Sequence, residues 1–96
     1  MRYLIVDGIL SGTGVRDAVE GGYLDLDKLG VSTELAADIS LWLARYEKAH
    51  YAQFESAQEV SALDIQGMEL SKRLKAELPE SKVEYFSNGK MQKIYP

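Results

Sequence analysis

The sequence predicts an α+β fold in the order β-α-α-β-β, with two helices packed on one face of a small three-stranded mixed sheet. Three observations carry this prediction. The chain has an apolar run near its N-terminus, two long segments with helical apolar spacing, and an Asn88-Gly89 pair between two alternating runs. At 96 residues, it is expected to form one domain over 1–96 around a single core.

The first strand is predicted over residues 2–10, where apolar residues occupy both faces, as is typical of a central strand. Residues 11–31 are predicted to form a loop. Six of the eight glycines lie between Gly8 and Gly30. Because glycine adopts positive φ at little steric cost, this loop is expected to hold turns that other residues resist.

Two helices follow. Ser32 or Thr33 is expected to cap the first, and its apolar stripe comprises Leu35, Ile39, Trp42, Tyr46, Ala49 and Phe54, broadened by Leu43. The second helix starts at the capping-box pattern Ser56-Ala57-Gln58-Glu59, or at Ser61. Its stripe comprises Val60, Leu63, Gly67, Leu70, Leu74 and Leu78, and Pro79 ends it. Gly67, in the middle of that stripe, indicates close approach to a neighbouring backbone.

The C-terminal segment is predicted to be a hairpin with a two-residue turn at Asn88-Gly89. This turn would pair Phe86 with Met91, Glu84 with Lys93, and Val83 with Ile94. If strands 2–10 and 82–87 are neighbours, their long connection makes them parallel.

Composition and charge limit the functional classes. The chain has no cysteine, so disulfides and thiolate metal sites are excluded, and no apolar stretch is long enough to cross a membrane. A cytoplasmic protein is expected. Residues 31–69 carry seven acids and two bases, a net charge of −5, whereas residues 70–96 carry six bases and three acids, a net charge of +3. Such an acidic segment repels phosphate and favours basic partners.

No complete catalytic set is present. Gly12-Thr13-Gly14 lacks the invariant residues of phosphate-binding loops, and no nucleophile motif surrounds any serine. His50, the only histidine, is expected to be packed and hydrogen-bonded. Neither a metal site nor a cofactor is predicted. The loop aspartates Asp7, Asp17, Asp25 and Asp27 allow two interpretations: carboxylates that converge for acid–base work, or caps of Asx turns.

The same loop and the first helix offer acidic and aromatic residues suited to a protein interface, where tyrosine is enriched and acids can meet lysine and arginine. The predicted partner-binding residues are Asp17, Glu20, Tyr23, Asp25, Asp27, Glu34, Asp38 and Tyr51. Among the aromatic residues, Tyr51 falls off the apolar stripe and is expected to be exposed.

Several segments together resemble immunity proteins of polymorphic toxins, including those of contact-dependent growth inhibition. The residues that carry the likeness are Asp7-Gly8-Ile9, Ser11-Gly12-Thr13-Gly14, Leu29-Gly30-Val31-Ser32, Trp42, Tyr46-Glu47, Asp64-x-x-Gly67-x-x-Leu70, Leu74-x-x-Glu77-Leu78 and Val83-Glu84-Tyr85-Phe86. The resemblance implies a cytoplasmic antitoxin that binds a cognate toxin domain and blocks its active site or substrate access.

The sequence is therefore interpreted as a non-enzymatic immunity protein whose partner is a basic toxin domain of the nuclease class. No direct nucleic-acid or membrane partner is expected. Two alternatives stay open. One is a small regulatory or scaffolding domain that takes a peptide at a sheet edge. The other is a small enzyme that uses the loop aspartates and Arg16.

Overall fold

A four-stranded mixed sheet carries two long helices on one of its faces. The computed structural model describes residues 2–10 and 12–94. The elements in chain order are β1 (Tyr3–Asp7), β2 (Val15–Asp17), α1 (Leu26–Leu29), α2 (Thr33–Tyr51), α3 (Ala57–Glu77), β3 (Lys82–Ser87) and β4 (Gln92–Ile94). Ser11, part of the glycine-rich motif, lies outside the described residues. The α+β class and the two long helices are as predicted.

The sheet has the order β2-β1-β3-β4. β1 is central, as its apolar character predicted, and it pairs in parallel with β3, from Tyr3 opposite Lys82 to Asp7 opposite Phe86. The prediction of three strands was wrong, because Val15–Asp17 adds a fourth strand antiparallel to β1. Three residues are too few to show an alternating pattern, so the strand is defined by its pairing alone.

The segment predicted to be loop over residues 11–31 therefore contains both β2 and the short helix α1. Its glycines do form the turns that were expected: Gly14, Gly21, Gly22 and Gly30 all have positive φ. β1 is shorter than predicted and ends at Asp7 rather than at residue 10.

Side-chain caps fix the starts of both long helices. The Ser32 hydroxyl accepts a hydrogen bond from Leu35 N, and the Ser56 hydroxyl accepts one from Glu59 N. Ser32 also donates from its backbone N and its hydroxyl to the carboxylate of Glu77, at 2.6 and 2.7 Å. Both bonds lower the pKa of Glu77 below its ordinary value, and the bond from the hydroxyl has the larger effect. The last turn of α3 is thus bound to the first turn of α2.

The core lies between the helices and the sheet, and Trp42, Tyr46 and Tyr85 are its largest fully buried side chains. The Trp42 indole N donates to the Leu63 carbonyl at 2.9 Å. The predicted stripe of α2 is buried at Leu35, Ile39, Trp42, Tyr46 and Ala49. These contacts confirm the helical spacing on which the prediction rested.

Gly67 is in close contact with a neighbour, but not with the backbone that was predicted. A Cβ at this position would lie 2.2 Å from Cε1 of Tyr85, so the close contact is made by an aromatic side chain from β3. One turn earlier in α3, the buried Asp64 accepts hydrogen bonds from the Tyr85 hydroxyl at 2.7 Å and from the Ser87 hydroxyl at 3.0 Å. Asp64 and Gly67 therefore both contact the hydroxyl end of the same tyrosine side chain.

The β3–β4 connection differs from the predicted two-residue turn. The observed register pairs Tyr85 with Ile94, Phe86 with Lys93, and Ser87 with Gln92, which leaves four residues, 88–91, in the loop. Tertiary hydrogen bonds explain the difference: the Asn88 side chain accepts from Gly8 N at 2.9 Å, and Gly89 N donates to the Tyr46 hydroxyl at 3.0 Å. A shift of two residues leaves every side chain on its predicted face of the sheet.

A charged cluster occupies the sheet face opposite the helices. The Tyr3 hydroxyl donates to Oε1 of Glu84, and the side chain of Glu84 is only 8% exposed. The Nζ atoms of Lys82 and Lys93 lie 3.5 and 3.4 Å from the two oxygens of that carboxylate. The hydrogen bond from Tyr3 has the largest effect in lowering the pKa of Glu84, and the two lysines lower it further.

Candidate functional site

A shallow groove of about 840 Å³ lies between the glycine-rich loop and α2. The loop contributes Tyr23, Asp25 and Asp27, which are three of the predicted partner-binding residues, and α2 contributes Glu47. The helix side is otherwise formed mainly by small residues, namely Thr33, Ala36, Ala37, Ser40 and Ala44, with Leu43 among them. The short side chains leave space for a partner's side chains beside the acids.

Backbone and side-chain bonds hold the loop side of the groove in place. Asp25 caps α1 by accepting a hydrogen bond from Asp27 N at 3.0 Å, and Leu26 is buried in the core. The Thr13 hydroxyl donates to the Leu24 carbonyl at 2.6 Å. Hydrogen bonds therefore hold the backbone that carries Asp25 and Asp27.

The groove is acidic and its charge is not compensated locally. Within residues 2–10 and 12–94, Asp25, Asp27 and Glu47 form no ion pair, and no lysine or arginine lines the groove. Three carboxylates facing one open concavity produce a negative potential there. The arrangement favours a partner that supplies lysine or arginine side chains.

The remaining predicted residues lie elsewhere. Asp17 accepts hydrogen bonds from the backbone N atoms of Val19 and Glu20, and these bonds lower its pKa. Asp17 and Glu20 line a separate depression beside β1. Asp38 pairs with Arg73 of α3 at 2.7 Å. The groove thus brings together three of the eight predicted residues. The other five lie outside it, namely Asp17, Glu20, Glu34, Asp38 and Tyr51.

The four loop aspartates do not converge. Asp7 is 2% exposed and accepts hydrogen bonds from the Tyr23 hydroxyl at 2.7 Å and from Arg16 Nε at 3.0 Å. Burial has the largest effect in raising the pKa of Tyr23, and the hydrogen bond to Asp7 raises it further. The carboxylates of Asp17 and Asp25 accept hydrogen bonds from backbone N atoms of their own turns. For these two residues, the Asx-turn interpretation is therefore the one observed. Asp7 and Arg16 form an internal ion pair that holds β2 and Tyr23 against β1.

His50 is packed and hydrogen-bonded, as predicted. Its Nε2 lies 2.9 Å from the Gly8 carbonyl, and its ring contacts those of Tyr46 and Phe54. Among the described residues, no group of three or more His, Cys, Asp or Glu side chains is placed to hold a metal ion. Within residues 2–10 and 12–94, no helix is long and apolar enough to cross a bilayer.

Sequence reasoning missed the small-residue side of the groove and Glu47. A signal was present: Ala36, Ser40, Ala44 and Glu47 recur at helical spacing beside the apolar stripe. A second stripe of small residues predicts a shallow helix face, but only the position of α1 and its loop turns that face into a groove.

Comparison with known proteins identifies the family of the chain. No curated protein matches the chain. Residues 11–88 match the family described as Serratia CdiI immunity protein-like, and this match covers more than half of the chain. The chain therefore belongs to the Serratia CdiI immunity protein-like family, whose members are immunity proteins of contact-dependent growth inhibition.

Proposed function

We propose that the protein binds the toxin domain of its own growth-inhibition system through the acidic groove and thereby blocks the toxin's active site or substrate access. The observation that carries this proposal is the set of three uncompensated carboxylates, Asp25, Asp27 and Glu47, around one concavity. Family membership supplies the immunity role, and the groove supplies a surface whose charge suits a basic partner.

A nuclease is the toxin class that fits this surface best. Nucleases hold phosphates with lysine and arginine side chains, and an acidic inhibitor is steered toward the same positive field. A partner of this kind would place its cationic side chains beside Asp27 and Glu47, where the small side chains of α2 leave room. We place the encounter in the cytoplasm, where nucleic-acid substrates are found.

The protein is proposed to act by binding alone, without catalysis. The enzyme alternative needed free aspartates and a free Arg16, and Asp7 and Arg16 are paired with each other. A purified chain that hydrolyses nucleic acids, esters or peptides, and that loses this activity on Asp7→Asn substitution, would favour the enzyme instead.

The test uses the toxin domain of the growth-inhibition system to which this protein belongs. Cells that produce the toxin domain are expected to grow when the immunity protein is co-produced, and the two purified proteins are expected to form a stable complex. The double variant Asp27→Asn, Glu47→Gln should weaken the complex by about tenfold or more, because it removes two of the three groove charges.

The matched control is the double variant Glu69→Gln, Glu80→Gln, which changes net charge equally at exposed sites outside the groove. Failure of the unmodified protein to bind or protect would reject the proposed function. Equal weakening by groove and control variants would reject the groove as its site.

A further inference from the structure

Three connections meet at the end of the molecule where β1 and β3 finish. Gly8, which follows β1, donates from its N to the Asn88 side chain of the β3–β4 loop at 2.9 Å. The Gly8 carbonyl contacts Nε2 of His50, next to the end of α2, at 2.9 Å. The β1–β2 loop, the β3–β4 loop and the end of α2 are thereby bonded into one surface.

Large apolar side chains are exposed on these connections. Ile9 and Leu10 are 41% and 42% exposed, and Tyr51 and Met91 are 73% and 72% exposed. Within the described part of the chain, four of the seven exposed large hydrophobic residues belong to this set. These four residues, Ile9, Leu10, Tyr51 and Met91, are called the apical surface below.

Unfavourable backbone conformations occur at the same end. The described non-glycine residues with positive φ are Gln53, Phe54 and Met91, at 55°, 54° and 54°. The first two follow α2, and the third is the last residue of the β3–β4 loop. The left-handed region disfavours most residues other than glycine, asparagine and aspartate. Backbone strain of this kind clusters at functional sites.

Met91 combines both features. Its φ of 54° is one that glycine would adopt without strain, yet the position holds a long apolar side chain that is 72% exposed. Since so much of the side chain is in solvent, packing within the protein offsets little of the backbone cost. Contact with a partner would account for the residue, because methionine is enriched at protein interfaces.

The apical surface is continuous with the acidic groove. A Cβ at Gly12 would lie 2.8 Å from Tyr23, which lines the groove, and 2.9 Å from Ile9. A single partner that spans both would need cationic side chains for the groove and apolar side chains beside them. Interfaces commonly combine charges that steer association with apolar anchors that hold the complex.

We infer that the apical surface is the apolar anchor for the same toxin domain, with Met91 and Tyr51 supplying most of the resistance to dissociation. This inference rests on the proposed function. In this inference, the groove mainly determines the rate of association, and the apical surface mainly determines the rate of dissociation.

The decisive variant is Met91→Gly. Glycine suits the positive φ, so the free energy of unfolding should stay unchanged or rise, while dissociation from the toxin domain should accelerate about tenfold or more. Tyr51→Ala should accelerate dissociation similarly, since the side chain is exposed and its removal leaves the core intact. Leu41→Ala and Ile65→Ala are matched controls, because those side chains are 66% and 61% exposed on the helices.

Stopped-flow and surface-binding measurements separate the outcomes. Faster dissociation for Met91→Gly and Tyr51→Ala, with wild-type rates for both controls, would support the inference. Wild-type dissociation for both apical variants, while the groove variants still weaken the complex, would overturn this inference and leave the proposed function standing. Absence of any complex with the unmodified protein would overturn both.

Discussion

Gly67 of α3 lies against the ring of Tyr85 so closely that a Cβ at residue 67 would fall 2.2 Å from Cε1. The hydroxyl at this end of the ring donates a hydrogen bond to Asp64. Helix and sheet are therefore joined at one side chain, which the helix accommodates only because residue 67 has no Cβ.

Gly67→Ala is expected to destabilise the protein. In an exposed helix this substitution would stabilise by up to about 1 kcal/mol, but here the added methyl group overlaps the tyrosine ring, and overpacking costs about 1–3 kcal/mol. Urea unfolding should report the loss, with Ser61→Ala on the exposed side of α3 as the control. Unchanged or increased stability of Gly67→Ala would contradict the contact.

Tyr85→Phe tests the hydrogen bond that the ring's hydroxyl donates to Asp64. It removes a 2.7 Å hydrogen bond to a buried carboxylate, and losing a bond to a charged group costs about 1.5–3 kcal/mol. The free energy of unfolding should fall by about that amount, while Tyr51→Phe, at an exposed position, should change it little. Equal stability for the two variants would show that the Asp64 bond contributes nothing.

The cluster around Glu84 predicts a loss of stability in acid. Because Tyr3, Lys82 and Lys93 lower the folded-state pKa of Glu84 below its ordinary value of 4.5, ionised Glu84 stabilises the fold at and above neutral pH. That contribution is lost as the pH falls below 4.5 and through the folded-state pKa.

Comparing Glu84→Gln with the wild type across this range isolates the effect. The difference in unfolding free energy should be largest at neutral pH and should shrink in acid. Glu80→Gln, at an exposed site, is the control for the change in net charge. A difference that does not vary with pH would refute the prediction.

Association with the toxin domain is expected to depend on salt through the groove. Exposed charges are screened over about 8–10 Å near physiological ionic strength. Raising the salt concentration should therefore slow association of the wild type, and Asp27→Asn with Glu47→Gln should both slow association and flatten its salt dependence. An association rate that does not change with salt concentration would contradict electrostatic steering, even if the two proteins still bind.

The sequence predicted those parts of the fold that depend on local patterns. Ser32 and Ser56 cap the helices where predicted, and the stripe from Leu35 to Ala49 is buried. Local patterns fail where distant residues decide the geometry. Asn88 and Gly89 carry a strong two-residue turn signal, but their bonds to Gly8 and Tyr46 produce a longer loop.

The site was predictable only in part, for the same reason. The sequence showed several aspartates in one glycine-rich loop. It could not show whether each carboxylate points to solvent or to a backbone N–H, because glycine allows many turns and specifies none of them. Asp25 both caps α1 and lines the groove, whereas Asp17 bonds within its own turn outside the groove. Glu47 joins the groove because α1 is folded beside α2, and no sequence spacing encodes that placement.

The pairing of β1 with β3 joins two strands that leave the ribosome at different times. The bond between Gly8 and Asn88 joins positions 80 residues apart, so β1 is synthesised well before its parallel neighbour β3. Contacts this distant close slowly, because the intervening chain must be ordered before they form. A nascent chain that stops before β3 therefore lacks half of its sheet. Protection against a toxin would begin only after β3 has left the ribosome.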